Sequence, residues 1–241
     1  VVDGLGVNTP AGTYTITYNY TGPNEEAATQ VSRTVTITDV TGFAIFDDQS
    51  DVLKTENVAG IALGTDYTLS ASFAELSSNG AWRTLFRGPS NDHQIILRNS
   101  DGMLGMYLHS EGGFKSSGYN AMVLNDGQSH TISAVASGGT TTFYVDGSQV
   151  GSVAHKSTAA IYAIGNYQSG NQRFSKYLDN VQIHANRALS PTEVLQIAAG
   201  EKVADGLTAY YDFEGANLAE KLEDKSGNGN SLTSTGVTIL H

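Results

Sequence analysis

Asn125–Gly151, NDGQSHTISAVASGGTTTFYVDGSQVG, is the stretch whose reading decides the fold. Two runs of strand length, His130–Ser137 and Thr140–Gly147, lie on either side of SGG and are bounded by NDGQ and VDGS. Threonine, valine, isoleucine and aromatic side chains suit a pleated, half-buried surface. The Gly, Asn and Asp turns supply residues that tolerate positive φ, as tight hairpin connections require. The stretch therefore reads as an antiparallel hairpin.

The same grammar continues on both sides. DYTLSASF (Asp66–Phe73), WRTLFRG (Trp82–Gly88), HQIILRN (His93–Asn99) and LGMYLHS (Leu104–Ser110) precede it, and LDNVQIHA (Leu178–Ala185) follows. Many short strands with regular turn signals predict a sandwich. One helix is predicted over Leu189–Gly200: Ser190 caps it, Pro191 occupies the first turn, Glu193 completes a capping box and Gly200 ends it. Upstream, GTYTITYNYTG (Gly12–Gly22) sets Tyr14, Ile16, Tyr18 and Tyr20 against polar neighbours. SRTVTITDV (Ser32–Val40) does the same with Val35 and Ile37. Period-two alternation with one wet face is the pattern of an antiparallel strand.

The 241 residues suggest one large domain or a small one joined to a medium one. Charged residues are 15%, glycines number 27, and the net charge is −11. An acidic chain is a poor partner for a nucleic-acid backbone or an anionic membrane. It suits a secreted bacterial protein, or one that collects divalent cations. Cysteine is absent, which excludes thiol catalysis and thiolate metal sites and is neutral as to compartment. No apolar run reaches transmembrane length. The chain opens in mid-pattern at Val1 and stops abruptly at His241, so it is expected to be a piece of a longer polypeptide.

Two resemblances follow. Val7–Asp39 resembles the last strands of a bacterial immunoglobulin-like repeat, which implies that residues 1–41 are the end of a partial Ig-like β module; the alternative is that these strands belong to the next domain. LGTDYTLSASF, the opening hairpin, IYAIGNYQSGNQRFSKYLDNVQIHANRALSPTEV and GLTAYYDFEG with LEDKSGNGNSLTSTGV resemble the bacterial laminin-G-like, concanavalin-A-like lectin domain. That resemblance implies an all-β, antiparallel jelly-roll sandwich over residues 42–241. It says less about ligand, because a fold hosts many functions.

The order of pieces departs from the family's. GLTAYYDFEG and DKSGNGN usually come first, whereas here they come last, in residues 204–241. Either they begin a truncated second copy or the domain is circularly permuted. Burial favours permutation: Leu207, Ala209, Tyr211 and Phe213 share one face that an orphan strand would expose. DKSGNGN (Asp224–Asn230) offers an acid and a glycine-rich backbone able to turn carbonyls inward, as a hard cation such as Ca²⁺ needs. Asp224 and the run containing Gly227 and Asn230 are thus candidate Ca²⁺ ligands. The resemblance adds Asp212 and Asp179. A solvated turn without metal is the alternative.

For a sugar, aromatic faces and planar polar groups are needed together. NGAWRTLFRGPSNDHQ holds the sole Trp82 with Arg83, Arg87, Asp92 and His93, although Trp82 could equally alternate into the core. GNYQSGNQRF holds Asn166, Tyr167, Asn171 and Arg173 on a loop, where binding residues gather. HSEGGFKSSGYN, with Phe114 and Tyr119, reads as a similar loop. The predicted ligand residues are Arg87, Asp92, His93, Asn166, Tyr167 and Arg173. The six histidines are scattered, and neither H-E-x-x-H nor G-x-S-x-G occurs. The expectation is a non-catalytic, monomeric glycan-binding module in a secreted or cell-surface multidomain protein, probing glycans for adhesion. An accessory module of a polysaccharide-degrading enzyme, or a spacer without sugar affinity, are the alternatives.

Overall fold

The computed structural model describes residues 12–18, 31–37, 42–78 and 80–240, and the chain divides into two compact units, 1–41 and 42–241. In the first, β1 (Gly12–Tyr18) pairs antiparallel with β2 (Val31–Ile37), Gly12 opposite Ile37 and Tyr18 opposite Val31. The immunoglobulin-like reading also draws on residues 1–11, 19–30 and 38–41, which lie outside the described residues.

The second unit runs β3 (Phe43–Ile45), β4 (Val52–Thr55), β5 (Tyr67–Leu76), β6 (Arg83–Arg87), β7 (His93–Leu97), β8 (Met103–Leu108) and β9 (Gly113–Asn120). It continues β10 (His130–Ser137), β11 (Thr140–Val145), β12 (Ser148–Val153), β13 (Ala163–Ile164), β14 (Ser175–Ala185) and α1 (Pro191–Ala198). It ends β15 (Ala209–Tyr211), α2 (Leu218–Lys221), β16 (Leu232–Thr235) and β17 (Thr238–Leu240). An eight-stranded sheet has the order β12-β11-β10-β5-β14-β3-β17, with β15 also beside β14; a seven-stranded sheet has the order β16-β4-β13-β6-β7-β8-β9. The two antiparallel sheets make the concanavalin-A-like sandwich.

The quoted hairpin is β10–β11, with Ser137 opposite Thr140. Its inward residues Ile132, Ala134, Phe143 and Val145 join a core with Phe46, Leu69, Phe73, Phe86 and Phe174. Residues 113–120, read as loop from the sequence, form strand β9; glycine and serine hid an edge strand whose half-exposed pattern lacks an apolar run.

The last 38 positions, 204–241, give strands to both sheets. β15 places Tyr211 opposite Val181 of β14, β17 places Ile239 opposite Ala44 of β3, and β16 places Leu232 opposite Thr55 of β4. Short strands β3 and β15 follow one another along the same edge of β14. Tyr211 and Phe213 are fully buried.

The outer face of the eight-stranded sheet is covered. α1 begins with the predicted capping box, the Glu193 carboxylate accepting from the Ser190 N–H at 2.8 Å. Val194 and Ile197 of α1 pack with Leu189 and Val203 on Val135 and Tyr144. With that face closed, the free sheet face belongs to the seven-stranded sheet.

Candidate functional site

A cleft of about 280 Å³ lies on that face, lined by Trp82, Asn91, His93, Ile96, Tyr107, Tyr167 and Gln172. Its rings form a row. Phe114 of β9 meets Trp82 at 5.5 Å between centroids, Trp82 meets Tyr107 at 5.8 Å, and Tyr107 meets His93 at 5.8 Å, all edge to face. His93 and Tyr167 are near parallel, 14° apart at 6.1 Å. Each end carries a cation: Arg98 lies 5.0 Å from the Phe114 ring centre and Arg87 lies 4.1 Å from that of Tyr167. Rings locked by edge contacts and cation–π attraction offer apolar area at little entropic cost.

Irregular pairing aims these side chains. Leu85 and Phe86 are consecutive in β6 and both enter the core, so the alternation breaks and Thr84 and Arg87 do not share their inward direction. A matching register shift falls between His93 and Ile96, while Ile95 and Leu97 stay in the core. Bulges re-aim side chains in this way.

Hydrogen bonds then set the polarity of the cleft. The Thr84 hydroxyl donates to Gln172 Oε1 at 2.7 Å and lies 2.9 Å from His93 Nδ1. With that hydroxyl proton committed, His93 Nδ1 is the protonated nitrogen and Nε2 is an acceptor. Burial, and then the charge of Arg87, push the His93 pKa down to about 3, so the ring is neutral. Arg87 is fully buried; it donates through Nη1 to Gln168 Oε1 and through Nη2 to Asn91 Oδ1. A guanidinium only donates, so both amides must turn oxygen inward and NH₂ outward.

The structure brings Arg87, His93 and Tyr167 together as expected, and places Trp82 half-buried in the cleft rather than in the core. Arg83 turns away to the Ser77 carbonyl. Three further predicted ligand residues make side-chain hydrogen bonds within the protein. Asp92 accepts from the His109 N–H at 2.9 Å and the Ser157 hydroxyl at 2.7 Å. Asn166 is fully buried, donating to the Gln49 and Asp51 carbonyls and accepting from the Tyr167 and Gln172 N–H groups. Arg173 donates to the Phe46 and Asp47 carbonyls. Asn166 and Arg173 hold loop 165–174, which presents Tyr167 and Gln172, while Asp92 ties the β8 end and the Ser157 segment together. Sequence reasoning missed Asn91, Tyr107, Gln168 and Gln172; Tyr107 was visible as the outward aromatic of LGMYLHS, but the amides carried no signal until a cation was placed behind them. Tyr119, the other aromatic of the 109–120 segment, packs against the core.

The acidic loop is held by a dense set of its own hydrogen bonds. Asp224 is buried, and its carboxylate accepts from the N–H groups of Tyr210 at 3.0 Å, Ser226 at 2.9 Å and Asn230 at 3.0 Å. These donors hold the Asp224 pKa below the usual carboxylate range against the opposing effect of burial, the largest single influence. The Asp224 carbonyl receives the Gly227 N–H, and the Asn230 carbonyl receives the Tyr211 hydroxyl at 2.5 Å. Asp212 turns to the Glu214 N–H and Asp179 to the Asn180 N–H. Burial, with Asp212, Asp179 and Glu214 nearby, raises the Tyr210 pKa to about 12. Among the described residues no three acidic or histidine side chains are grouped to hold a metal. In this arrangement the Asp224 carboxylate accepts three backbone N–H groups, Asp212 and Asp179 accept one each from a neighbour, and the Asn230 carbonyl accepts the Tyr211 hydroxyl. The loop is a clamp on β15.

Comparison with known proteins places this geometry in context. The family model Laminin_G_3, described as the concanavalin A-like lectin/glucanases superfamily, matches residues 47–195. A crystal structure of a candidate carbohydrate binding protein from Bacteroides ovatus is similar with a TM-score of 0.64 and 15% identity, over 96% of this chain and 70% of that one. The heptameric SAP-like pentraxin of Limulus polyphemus is similar with a TM-score of 0.55 and 17% identity, over 83% of this chain and 94% of that one. At these identities the likeness is one of fold. None of the curated proteins matches the chain. Among the described residues no helix is long and apolar enough to cross a membrane.

Proposed function

The chain belongs to the concanavalin A-like lectin/glucanases superfamily, and from that premise we propose that it is a non-catalytic carbohydrate-binding module whose glycan lies in the aromatic cleft of the seven-stranded sheet. The observation that carries this reading is the row Trp82–Tyr107–His93–Tyr167 bordered by the outward amides of Asn91 and Gln172. Ring faces take the C–H side of a sugar, and the amides donate to its hydroxyl oxygens. Glycoside hydrolysis ordinarily needs two carboxyl groups flanking the bond. The cleft lining contains no carboxylate, and the neighbouring Asp92 is engaged by His109 and Ser157. Binding through a shallow row of rings suits weak single-site affinity raised by multivalency, as on the surface of a secreted or cell-wall-bound bacterial protein engaged in adhesion or glycan capture.

A polysaccharide panel tested by affinity electrophoresis and calorimetry, with Trp82→Ala and Tyr167→Ala alongside the parent chain, examines the proposal. Loss of a central anchor should weaken binding at least about tenfold, roughly 1.4 kcal/mol, with an unchanged circular dichroism spectrum. Absence of any bound glycan, or both variants binding like the parent, overturns it.

A further inference from the structure

Among the described residues Arg87 is the largest fully buried side chain, and it makes no ion pair with any of them. Its hydrogen-bond acceptors, Gln168 Oε1 and Asn91 Oδ1, are neutral, and its Nε has no partner. A buried charge without a counter-charge is costly, and folded chains normally pair or neutralise it. Guanidinium cannot neutralise itself by releasing a proton. The adjacent acid, Asp92, sends its carboxylate to His109 and Ser157 instead. The neighbouring ring, His93, is neutral and adds no compensating charge.

Resting on the proposed glycan-binding role, we propose that the saccharide taken by this cleft is acidic, its carboxylate or sulfate supplying the counter-charge that Arg87 lacks. Only one layer of side chains separates the guanidinium from the cleft. Asn91 is exposed and Gln168 half-exposed. An ionised acceptor forms a hydrogen bond to guanidinium about twice as strong as a neutral amide does. The acidic group therefore takes the place of Asn91 Oδ1 on Nη2, while the released Asn91 amide stays at the rim. The remaining cleft groups agree with this chemistry. Gln172 faces the cleft as an N–H donor, suited to an acceptor-rich ligand, and His93 Nε2 and the ring faces of Trp82 and Tyr107 receive the sugar body. The chain's net charge of −11 opposes an anion only weakly, because charges beyond roughly 8 Å are screened at physiological ionic strength, whereas Arg87 acts at contact.

The test uses the 241-residue chain and paired probes: an oligogalacturonate against its full methyl ester, and a κ-carrageenan oligosaccharide, which carries sulfate and no carboxylate, against its desulfated form. One acidic member should bind at least about tenfold tighter than its neutral counterpart, the advantage shrinking as sodium chloride is raised. The pair that responds identifies carboxylate or sulfate. Arg87→Met should abolish the preference and Arg87→Lys retain part of it. Should Arg87→Met fail to fold, the acid-to-neutral ratio and its salt dependence on the parent chain decide the matter. Equal binding of acidic and neutral members, sensitive to Tyr167→Ala, overturns the acidic specificity and leaves the glycan-binding role standing. No binding of any member of the panel overturns both.

Discussion

Deleting residues 204–241 removes strands from both sheets at once, and the structure sets the size of the effect. Six large side chains would leave the core: Tyr211, Phe213, Leu222, Leu232, Val237 and Ile239, none more than 8% exposed. At roughly 1.5–3 kcal/mol for each buried side chain, their loss is on the order of 10 kcal/mol. Part of that is an overestimate, because real unfolded chains already bury some apolar surface. It still matches the whole stability of a typical domain, about 5–15 kcal/mol. The deletion also strips the outer edge of β14 beside Val181–Ile183 and the edges of β3 and β4, leaving unpaired ladders that invite aggregation. The truncated chain is therefore expected to be insoluble or molten by size-exclusion chromatography and near-ultraviolet circular dichroism. Leu232→Ala in the full chain gives a graded version, with an expected loss of about 2–5 kcal/mol in urea titration. A truncated chain that is soluble and monomeric and melts within a few degrees of the parent would show that the tail does not complete this sandwich, and the reasoning from burial would be refuted.

Two further outcomes follow from the buried polar groups. Asp224→Asn places an NH₂ where one of three backbone N–H groups expects an acceptor; it should cost about 1–3 kcal/mol in chemical denaturation, and added Ca²⁺ should leave the parent's melting temperature unchanged. A calcium-dependent rise that disappears in Asp224→Asn would reinstate the loop as a cation site. Acid should destabilise the protein in the window between the unfolded histidine value near 6.5 and the folded His93 value of about 3, because there the unfolded state binds a proton that the folded state does not. His184, buried with its Nε2 on the Val203 carbonyl and also held below its usual range by burial, acts in the same direction. By pH 5 the His93 contribution alone is on the order of 2 kcal/mol, readable as a falling urea midpoint; a midpoint independent of pH between 7 and 5 would show that His93 is protonated in the fold.

How far the sequence could be read depends on whether a residue's neighbours were local. The β10–β11 hairpin was legible because its turn and alternation sit side by side, and α1 because its capping box spans four residues. Residues 204–241 could be given a place because the alternation of Ala209, Tyr211 and Phe213 demanded a core and because the order of pieces departs from the family's. Their actual partners, Val181, Ala44 and Thr55, lie far away in the chain. Half the predicted ligand set also serves the fold, for a related reason. Asn166, Arg173 and Asp92 are polar residues on loops, as binding residues are, but a loop itself must satisfy its backbone, and these side chains do that. The direction of Arg87 was hidden by the bulge in β6: strict alternation would place it with Leu85, facing the core. Asp224 reads two ways because the features that suit a cation, an acid amid flexible glycines, equally suit an acid capping its own turn.

The support residues connect the permuted tail to the cleft. Gly236, in the turn between β16 and β17, has φ +76° and lies so close to Asp51 that an added Cβ would stand 2.0 Å from Asp51 Oδ1. Asp51 accepts from the Asp48 N–H at 2.8 Å and so shapes the segment 46–51. That segment offers the carbonyls of Phe46, Asp47, Gln49 and Asp51 to Arg173 and Asn166. Asn166 in turn fixes the backbone of Tyr167 and Gln172 at 2.7 and 2.8 Å, one on each arm of the loop that walls the cleft. The tail therefore does more than close the sheets. It packs against the segment from which the binding loop hangs, and the stacking of Tyr167 on Arg87 depends on that loop's position to within the reach of a hydrogen bond. A site built this way keeps its rings pre-ordered before a glycan arrives, which lowers the entropy lost on binding and places the geometry of recognition under the control of residues that never touch the ligand.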